Sequence, residues 1–385
     1  MSSVFQKIFK ALRILSNEFK VIQRVMDKLR ACIVGATGIV GQQLIVALQA
    51  HPWFKVSCLA ASERSAGKTY FEALRDEKTK AVRWFCDEYP NENILHMQVN
   101  DVENIKLQEL DVVFSAVEAD VAQKLEPRFA AKIPVISTAA TFRYDDDVPV
   151  LIPGVNSEHL KMIDRQRKRR GWEGFINTQP NCTTTGLVIT IKPLLDRFGV
   201  TNVIMTSLQA LSGAGRSPGV IGLDILDNVI PYIPREEEKV QTETLKILGQ
   251  CTEGQSTPAD MKVSCTCTRV NVLEGHTEAV FLSTDRECSE EEVKDALMNF
   301  GKDLYTLNLP SAPQKMIIVT DDPFRPQPRL DRNNEGGLAT TVGRIRKDPV
   351  LKNGIKYVLV SHNTKMGAAK GAVLVAELIT KADYL

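Results

Sequence analysis

The residue best suited to nucleophilic chemistry is Cys182, in the sequence Gln179-Pro-Asn-Cys-Thr-Thr-Thr. It precedes the apolar segment Leu187–Phe198, so we expect it in the first turn of a helix. There the unpaired backbone N–H groups and the helix dipole lower the pKa of a thiol and favour the thiolate. A single cysteine is more often a small buried hydrophobic residue. The polar neighbours and the predicted helix start favour the nucleophile.

A second candidate is His276, which follows Gly275 and lies seven residues after Arg269. We expect an exposed arginine and an exposed histidine to frame one strand. The guanidinium could then bind an anion while the imidazole moves a proton. The pair indicates a proton-transfer site for an anionic substrate, and a purely structural histidine stays the alternative.

A glycine-rich turn near the start of the chain indicates nucleotide binding. It follows the apolar run Ala31–Val34, a predicted buried strand, and precedes a predicted helix at Gln42–Ala50. Glycines let the backbone approach a pyrophosphate, and the helix N-terminus offers free N–H groups. The spacing is GxxGxxG rather than GxGxxG, and plain strand-to-helix packing is the alternative. The residues expected at the pyrophosphate are Gly35, Thr37, Gly38, Ile39, Val40 and Gly41.

About 20 residues further on, an NAD enzyme usually carries an acidic residue for the ribose hydroxyls. This chain has Ser62, Glu63, Arg64 and Ser65 in that region. Arg64 and the two serine hydroxyls suit the additional 2′-phosphate of NADP, whereas Glu63 suits NAD. We predict NADP as the cofactor, with an ordinary charged loop as the alternative.

The elements that position these residues follow two patterns. In the first part of the chain, predicted strands and helices alternate, which is typical of a doubly wound, Rossmann-like parallel sheet. From Val203 the chain is rich in β-branched residues joined by long excursions, which favours a mixed or antiparallel sheet in an α+β domain. The strands expected there are Val203–Leu211, Lys262–Val272 and Glu278–Ser283, and helices are expected at Glu290–Leu304 and Thr364–Thr380.

Composition excludes several classes of function. The net charge of +1 creates no field that would draw the chain to nucleic acid or to a membrane surface. No apolar run approaches the roughly 18 residues of a membrane span. The eight cysteines form no CxxC pair, so we expect reduced thiols and no metal site.

Two basic segments need separate interpretation. The run Arg165–Arg170 is interpreted as a solvated helix end rather than a nucleic-acid patch, because no aromatic residues are interleaved with it. Residues 1–25 are basic and carry apolar residues at helical spacing. We interpret them as an N-terminal extension, with a mitochondrial leader as the alternative.

Four motifs occur together and in a fixed order: the glycine turn, Pro180-Asn-Cys-Thr, Ser207-Leu-Gln-Ala-Leu-Ser-Gly-Ala-Gly, and Arg269-Val followed by Gly275-His. In this combination the chain resembles the aspartate-semialdehyde dehydrogenases, particularly their archaeal and fungal branch. The resemblance runs from about Leu29 to the C-terminus. It implies a Rossmann-like NADP-binding domain at 26–152, completed by a C-terminal helix at 362–385. It also implies an α+β catalytic and oligomerisation domain at 153–361.

The resemblance further implies a reaction and a role for each matching residue. In the family the cysteine attacks an aldehyde, hydride passes to NADP⁺, and inorganic phosphate releases the thioester as aspartyl phosphate. Biosynthesis runs these steps in reverse. Cys182 matches the nucleophile and His276 the general acid–base, whose near-neutral pKa would suit both halves of the reaction.

The remaining matches concern binding. Asn181 could steady the oxyanion, Arg269 matches the clamp for the substrate carboxylate, and Glu236 the acceptor of the substrate ammonium. The choice among Glu236, Glu237 and Glu238 stays open. A solvated helix face is the alternative for these glutamates and is expected for Glu237. Further matches are Gln209 for a polar substrate contact, Arg143 and Lys239 for phosphate, and Ser212, Gly213 and Asn363 for the nicotinamide end of the cofactor.

The implied partners are a small-molecule substrate and inorganic phosphate, with neither nucleic acid nor membrane. A homodimer or homotetramer in the cytoplasm is expected. Two rival functions stay open. One is a related reductase of a CoA thioester, such as malonyl-CoA reductase, whose substrate has no ammonium for Glu236. The other is a non-catalytic NADP-binding redox sensor that uses Cys182 as its switch.

Overall fold

The computed structural model describes residues 28–215, 220 and 222–385. The N-terminal extension expected at residues 1–25 lies outside the described residues. Two six-stranded sheets organise the described chain, one in the first half and one in the second. A small two-stranded sheet accompanies them.

The first sheet is entirely parallel, with strand order β3-β2-β1-β4-β5-β6. Its central strands are apolar and buried, with all four residues of β4 and the last four of β1 enclosed, as is typical of a parallel sheet covered on both faces. The strands are β1 Leu29–Val34, β2 Phe54–Ala61, β3 Val99–Asp101, β4 Val112–Ser115, β5 Val135–Ser137 and β6 Ile176–Thr178. The helices of this half are α1 Ile39–Leu48, α2 Tyr70–Ala73, α3 Glu92–Leu95, α4 Ala119–Ala130 and α5 Met162–Arg170.

The second half is built on a mixed sheet of order β10-β7-β11-β14-β13-β12. Its outer pairs β10/β7 and β12/β13 are parallel, and the inner pairs are antiparallel. The strands are β7 Val200–Gln209, β8 Gln250–Thr252, β9 Gln255–Thr257, β10 Lys262–Arg269, β11 His276–Thr284, β12 Ile317–Thr320, β13 Thr340–Asp348 and β14 Gly354–Ser361. The helices are α6 Cys182–Phe198, α7 Gly222–Ile225, α8 Glu236–Ile247, α9 Glu290–Met298, α10 Lys302–Thr306, α11 Pro328–Asp331 and α12 Lys370–Lys381.

The predicted fold class, a Rossmann-like parallel sheet plus an α+β domain, is confirmed. We expected the first domain to end at residue 152. The first sheet extends beyond that residue to Thr178, because β6 pairs with β5. The helix expected at Glu290–Leu304 ends at Met298. Gly301 adopts a positive φ of 80° there, and a side chain on it would meet Met316, so the chain breaks before α10.

The C-terminal helix returns to the first half of the molecule. It is preceded by a π-helical turn at Lys365–Ala369, so the regular part of the expected helix begins later, at Lys370. Helix α12 packs against α1 and β5. Its buried Glu377 accepts a hydrogen bond from His51 Nε2 at 2.7 Å and another from the Ser311 backbone N–H. The closing helix therefore joins segments from both halves.

Several arginines of the basic run Arg165–Arg170 form ion pairs with carboxylates. Arg170 pairs with Asp147 and Asp145, and Arg165 pairs with Asp146. This agrees with the solvated helix end expected from the sequence. Among residues 28–215, 220 and 222–385, no helix is long and apolar enough to cross a membrane, and no cluster of metal ligands is found.

Candidate active site

Cys182 is the first residue of α6, as expected. Asn181 caps this helix: its Oδ1 accepts hydrogen bonds from the backbone N–H groups of Thr183 at 2.9 Å and Thr184 at 3.2 Å. An asparagine in this position satisfies donors that the helix leaves unpaired. The cap fixes the turn on which the thiol stands.

His276 faces the thiol directly, with its Nε2 at 3.1 Å from Cys182 Sγ. The other ring nitrogen, Nδ1, accepts a hydrogen bond from the Ala210 backbone N–H at 3.0 Å. A nitrogen that accepts a hydrogen bond carries no proton, so the neutral ring holds its hydrogen on Nε2. His276 therefore donates toward the sulfur of Cys182.

The electrostatics of this pair differ from the sequence-based expectation. Enclosure by the protein, followed by the charge of Glu236, raises the pKa of the Cys182 thiol to about 12. Arg269, Arg143 and the helix N–H groups act in the opposite direction but do not outweigh burial. Burial and the neighbouring Arg269 lower the pKa of His276 to about 3. Both pKa shifts run opposite to the thiolate and the near-neutral histidine expected from the sequence.

Arg269 and Gln209 end two adjacent parallel strands and lie side by side in the register. Arg269 Nη1 donates to the Ala210 carbonyl at 2.7 Å, and Gln209 Nε2 donates to Ser207 Oγ at 3.2 Å. The expected exposed pair on one strand was wrong in two respects. Arg269 ends β10 whereas His276 begins β11, and both side chains are buried. The strand ends bring them together across the sheet.

The three glutamates at the start of α8 have different surroundings. Glu236 is buried, and its Oε1 accepts a hydrogen bond from Asn181 Nδ2 at 2.8 Å. Glu237, for which a solvated face was expected, instead accepts the Cys267 backbone N–H at 3.0 Å, and Glu238 is exposed. Glu236 is thus the glutamate beside the nucleophile. The side-chain amide of Asn181, which we expected to stabilise the oxyanion, is therefore hydrogen-bonded to Glu236 in this structure.

The two expected phosphate ligands both contact acidic side chains of α8. Lys239 Nζ lies 3.5 Å from Glu236 Oε2. Arg143 is buried, and its Nη1 donates to Glu243 at 3.1 Å while its Nη2 donates to the Thr138 carbonyl at 2.9 Å. Its Nε has no hydrogen-bond partner among the described residues. Lys239 and Arg143 are therefore both held by glutamates of α8, the helix whose Glu236 lies beside Cys182.

The glycine turn has the shape of a cradle for a nucleotide. Gly35 has φ 83°, and a Cβ there would lie 2.3 Å from the Ala116 carbonyl oxygen. A Cβ on Gly41 would lie 2.2 Å from the Gly35 oxygen. Gly38 is the N-cap of α1 and contributes no side chain, so the first-turn N–H groups can meet a phosphate. Thr37, Ile39 and Val40 complete this turn.

The Ser62–Ser65 turn lies next to this cradle. It directly follows β2, which pairs in parallel with β1, so both turns leave the same edge of the sheet. Its Ser65 N–H donates to the Ser62 carbonyl at 2.8 Å, and Arg64 is exposed. The carboxyl edge of a parallel sheet is where dinucleotides bind, and neighbouring strand ends there meet one ribose.

The residues expected at the nicotinamide surround the thiol and the histidine. Asn363 donates to Ser212 Oγ at 2.8 Å and accepts the Gly275 N–H at 2.8 Å. A Cβ on Gly213 would lie 3.2 Å from His276 Cε1. The loop that carries Ser212 and Gly213 is therefore held directly over the imidazole.

Three groups at the site were not found from the sequence. Gly367 lies in the π-helical turn, and a Cβ on it would come within 2.8 Å of Cys182 Cβ. The Ala210 N–H sets the histidine tautomer, and no side-chain pattern reveals a backbone donor. Glu243 is fully buried beside Asn181. Its spacing of seven residues from Glu236 places both on one helix face, and this was the available signal.

Comparison with known proteins agrees with this geometry. Residues 30–163 match the model of the semialdehyde dehydrogenase NAD binding domain, and residues 191–366 match that of the semialdehyde dehydrogenase dimerisation domain. The chain is 46% identical to an aspartate-semialdehyde dehydrogenase of Methanothermobacter thermautotrophicus, over 91% of this chain and 98% of that protein. It is 48% identical to that of Archaeoglobus fulgidus, over 92% and 98%.

A solved structure shows the same architecture. The crystal structure of aspartate-semialdehyde dehydrogenase with NADP from Candida albicans superposes with a TM-score of 0.83 at 39% identity. The match covers 93% of this chain and all of that chain. These three similar proteins come from two archaea and a fungus, as the resemblance implied. Identity of this size over nearly the whole length is decisive, and the chain belongs to the aspartate-semialdehyde dehydrogenase family.

Proposed function

We propose that this chain catalyses the reversible, NADPH-dependent reduction of L-4-aspartyl phosphate to L-aspartate 4-semialdehyde and phosphate. This step serves the biosynthesis of amino acids such as lysine, threonine, methionine and isoleucine. The observation that carries the proposal is the 3.1 Å contact between Cys182 Sγ and His276 Nε2. Arg269 and Glu236 flank it, which supports a substrate carrying both a carboxylate and an ammonium.

In the proposed binding mode, Arg269 holds the substrate carboxylate. A planar guanidinium binds a carboxylate through two parallel hydrogen bonds, and a strand end keeps it in place. Glu236 accepts the ammonium, and Gln209 and Asn181 supply polar contacts. An ammonium at Glu236 also neutralises the carboxylate that raises the pKa of the Cys182 thiol. Substrate binding therefore favours the thiolate at the moment when it is needed.

The proposed chemistry passes through a thioester on Cys182. In the oxidative direction the Cys182 thiol loses its proton to solvent, and the thiolate attacks the aldehyde carbon. The carbonyl electron pair moves to the oxygen, which the Nε2–H of His276 stabilises by a hydrogen bond. Loss of hydride from that carbon then re-forms the carbonyl as a thioester. Phosphate then attacks the thioester in the oxidative direction, or leaves when it forms in the reductive direction. Lys239 and Arg143 are the proposed phosphate ligands, because each contacts a glutamate of α8 that lies near the nucleophile turn: Lys239 contacts Glu236, and Arg143 contacts Glu243.

NADP is the proposed cofactor, and when bound it accepts or supplies the hydride. The Gly35–Gly41 turn would hold its pyrophosphate, since side chains there would collide with backbone oxygens. Ser62, Arg64 and Ser65 would hold the 2′-phosphate. Ser212, Gly213 and Asn363 would hold the nicotinamide end beside Cys182. The cradle, the adjacent turn and the loop over the imidazole together support this arrangement.

The test of the function is an assay of NADPH formation from aspartate semialdehyde and NADP⁺, with and without phosphate. We expect NADPH to appear only when phosphate is present. NADPH formation that requires CoA instead would favour a CoA-thioester reductase. Binding of NADP without turnover in either condition would favour a redox sensor.

The organisation of the chain supports further proposals. It carries a dimerisation domain, and we propose a homodimer or a homotetramer formed through the second half. We propose an NADP-binding domain at 26–152 extended to Thr178 by β6 and completed by 362–385, with the catalytic domain following it to 361. A cytoplasmic location is proposed on its eight free cysteines, which suit a reducing compartment.

Arg64 should determine the preference for NADP over NAD. The substitution Arg64→Ala removes the guanidinium and with it one charge-assisted contact with the 2′-phosphate of NADP. Such a contact contributes about 1.5–3 kcal/mol, so we expect a roughly tenfold to hundredfold rise in the Kd for NADP. The Kd for NAD, which lacks this phosphate, should change little. Fluorescence titration with both cofactors measures this, and equal losses would make Arg64 a structural residue.

The two anion sites should respond separately to substitution. Arg269→Lys keeps the charge but loses the planar fork, and should raise the KM for aspartate semialdehyde by about tenfold or more. Lys239→Ala should mainly raise the KM for phosphate. Steady-state kinetics with each substrate varied in turn measures both effects. If Arg269→Lys changed only the phosphate constant, the two assignments would have to be exchanged.

A further inference from the structure

The turn that carries Cys182 is tied to a fully buried carboxylate outside the residues assigned so far. Glu243 lies on α8, and its side chain is 0% exposed. Its Oε2 accepts the backbone N–H of Asn181 at 2.6 Å. This N–H belongs to the Pro180–Asn181 peptide, so the bond fixes the backbone that leads directly into Cys182.

The Glu243 carboxylate accepts hydrogen bonds from two further side chains. Arg143 Nη1 donates to its Oε1 at 3.1 Å, and the Tyr144 hydroxyl donates to the same oxygen at 3.3 Å. Arg143 is itself buried, with 8% of its side chain exposed. Three donors on one carboxylate satisfy a charge that would be costly to bury alone. Glu243 thus joins the segment after β5, the nucleophile turn and α8.

Asn181 is consequently held at three points. Its N–H donates to Glu243, its Oδ1 caps α6, and its Nδ2 donates to Glu236. Losing the Glu243 contact would free the backbone on one side of the cap and leave Arg143 buried without its carboxylate. A shift of the thiol by a fraction of an ångström would lengthen its 3.1 Å contact with His276.

We propose that Glu243 is a positioning residue, which fixes the Pro180–Asn181 peptide through the Asn181 N–H and uses Arg143 as its counter-ion. This rests on the proposed function for the role of Cys182 as nucleophile. Glu243 touches neither substrate nor cofactor in this arrangement and acts only through Asn181 and Arg143. Arg143 can still offer phosphate its Nε, which has no hydrogen-bond partner in the described part of the chain.

The test compares Glu243→Gln, Arg143→Met and the double variant, with Glu291→Gln as a control on the exposed first turn of α9. The readout is the rate of Cys182 alkylation by iodoacetamide between pH 6 and 9, followed on the Cys182 peptide by mass spectrometry. This readout needs no substrate, so it remains informative if the proposed activity is not found. NADP affinity, measured by fluorescence titration, reports on the fold.

Glu243→Gln should slow alkylation about tenfold or more, with NADP affinity changed less than about twofold, because charged buried hydrogen bonds are strong. The double variant should be no slower than either single variant, since removing both members of a buried pair leaves no unpaired charge. The control should react like the wild type. An unchanged alkylation profile in Glu243→Gln overturns the positioning role, and losses that multiply in the double variant overturn the pairing.

A buried ion pair can also be needed for folding, so a milder variant accompanies these. Tyr144→Phe removes only the weakest of the three donors to Glu243. It should slow Cys182 alkylation by about twofold to fivefold without changing the thermal unfolding temperature by more than a few degrees. If Glu243→Gln fails to fold and Tyr144→Phe reacts at the wild-type rate, the proposal is overturned.

Discussion

Cys182→Ser is expected to reduce turnover by at least about a thousandfold, because the substitution removes the atom that forms the thioester. A serine hydroxyl is a much weaker acid than a thiol. The environment of Cys182 already raises the pKa of the thiol to about 12, so it would not ionise a hydroxyl. The proposed NADP contacts are made by the Gly35–Gly41 turn, the Ser62–Ser65 turn and the Ser212 loop rather than by Cys182, so NADP affinity should stay within about twofold of the wild type.

The measurement pairs the phosphate-dependent assay with a fluorescence titration of NADP. Cys58→Ser is a suitable control, since Cys58 is a partly exposed thiol on β2 of the parallel sheet. It should keep its turnover. A Cys182→Ser variant that turns over at a rate near the wild type would remove Cys182 as the nucleophile, whatever its position at the helix start.

The sequence predicts the parts of this site that depend on contiguous residues. The strand, glycine turn and helix at Leu29–Leu48 are local features, and so is the helix start at Cys182. The pairing of Cys182 with His276 follows from the family resemblance, because 94 residues separate them and no local pattern joins them. The second sheet brings them together through strand ends, which are set by long-range pairing.

Ionisation states were the least predictable feature. A helix N-terminus favours a thiolate, but burial and a neighbouring carboxylate oppose it, and their balance depends on the packed structure. The same applies to His276, where burial and Arg269 both disfavour the charged ring. Glu243 illustrates a related limit. A glutamate on a helix is usually exposed, and only the tertiary structure shows that Asn181 and Arg143 enclose it.

His276 contributes to the reaction itself and does not ionise the Cys182 thiol beforehand. The Ala210 N–H occupies Nδ1, so protonating the ring would break that bond inside a site where Arg269 already disfavours positive charge. The histidine is therefore a neutral donor toward Cys182 and does not form an imidazolium–thiolate pair with it. Alkylation of Cys182 should then rise about tenfold per pH unit from pH 6 to 9, because the thiolate fraction grows below a raised pKa.

His276→Gln is expected to lower kcat by about 10²- to 10⁴-fold, the usual contribution of a positioned acid–base group. A glutamine amide can still donate toward the sulfur, so alkylation of Cys182 at pH 8 should change only about threefold or less. His276→Ala, which removes the donor as well, should lose turnover to a similar extent and also alter the alkylation rate. The two readouts separate proton transfer during the reaction from support of the resting thiol. A wild-type alkylation profile with a plateau near neutral pH that disappears in His276→Gln would instead show that His276 holds the thiolate as an ion pair.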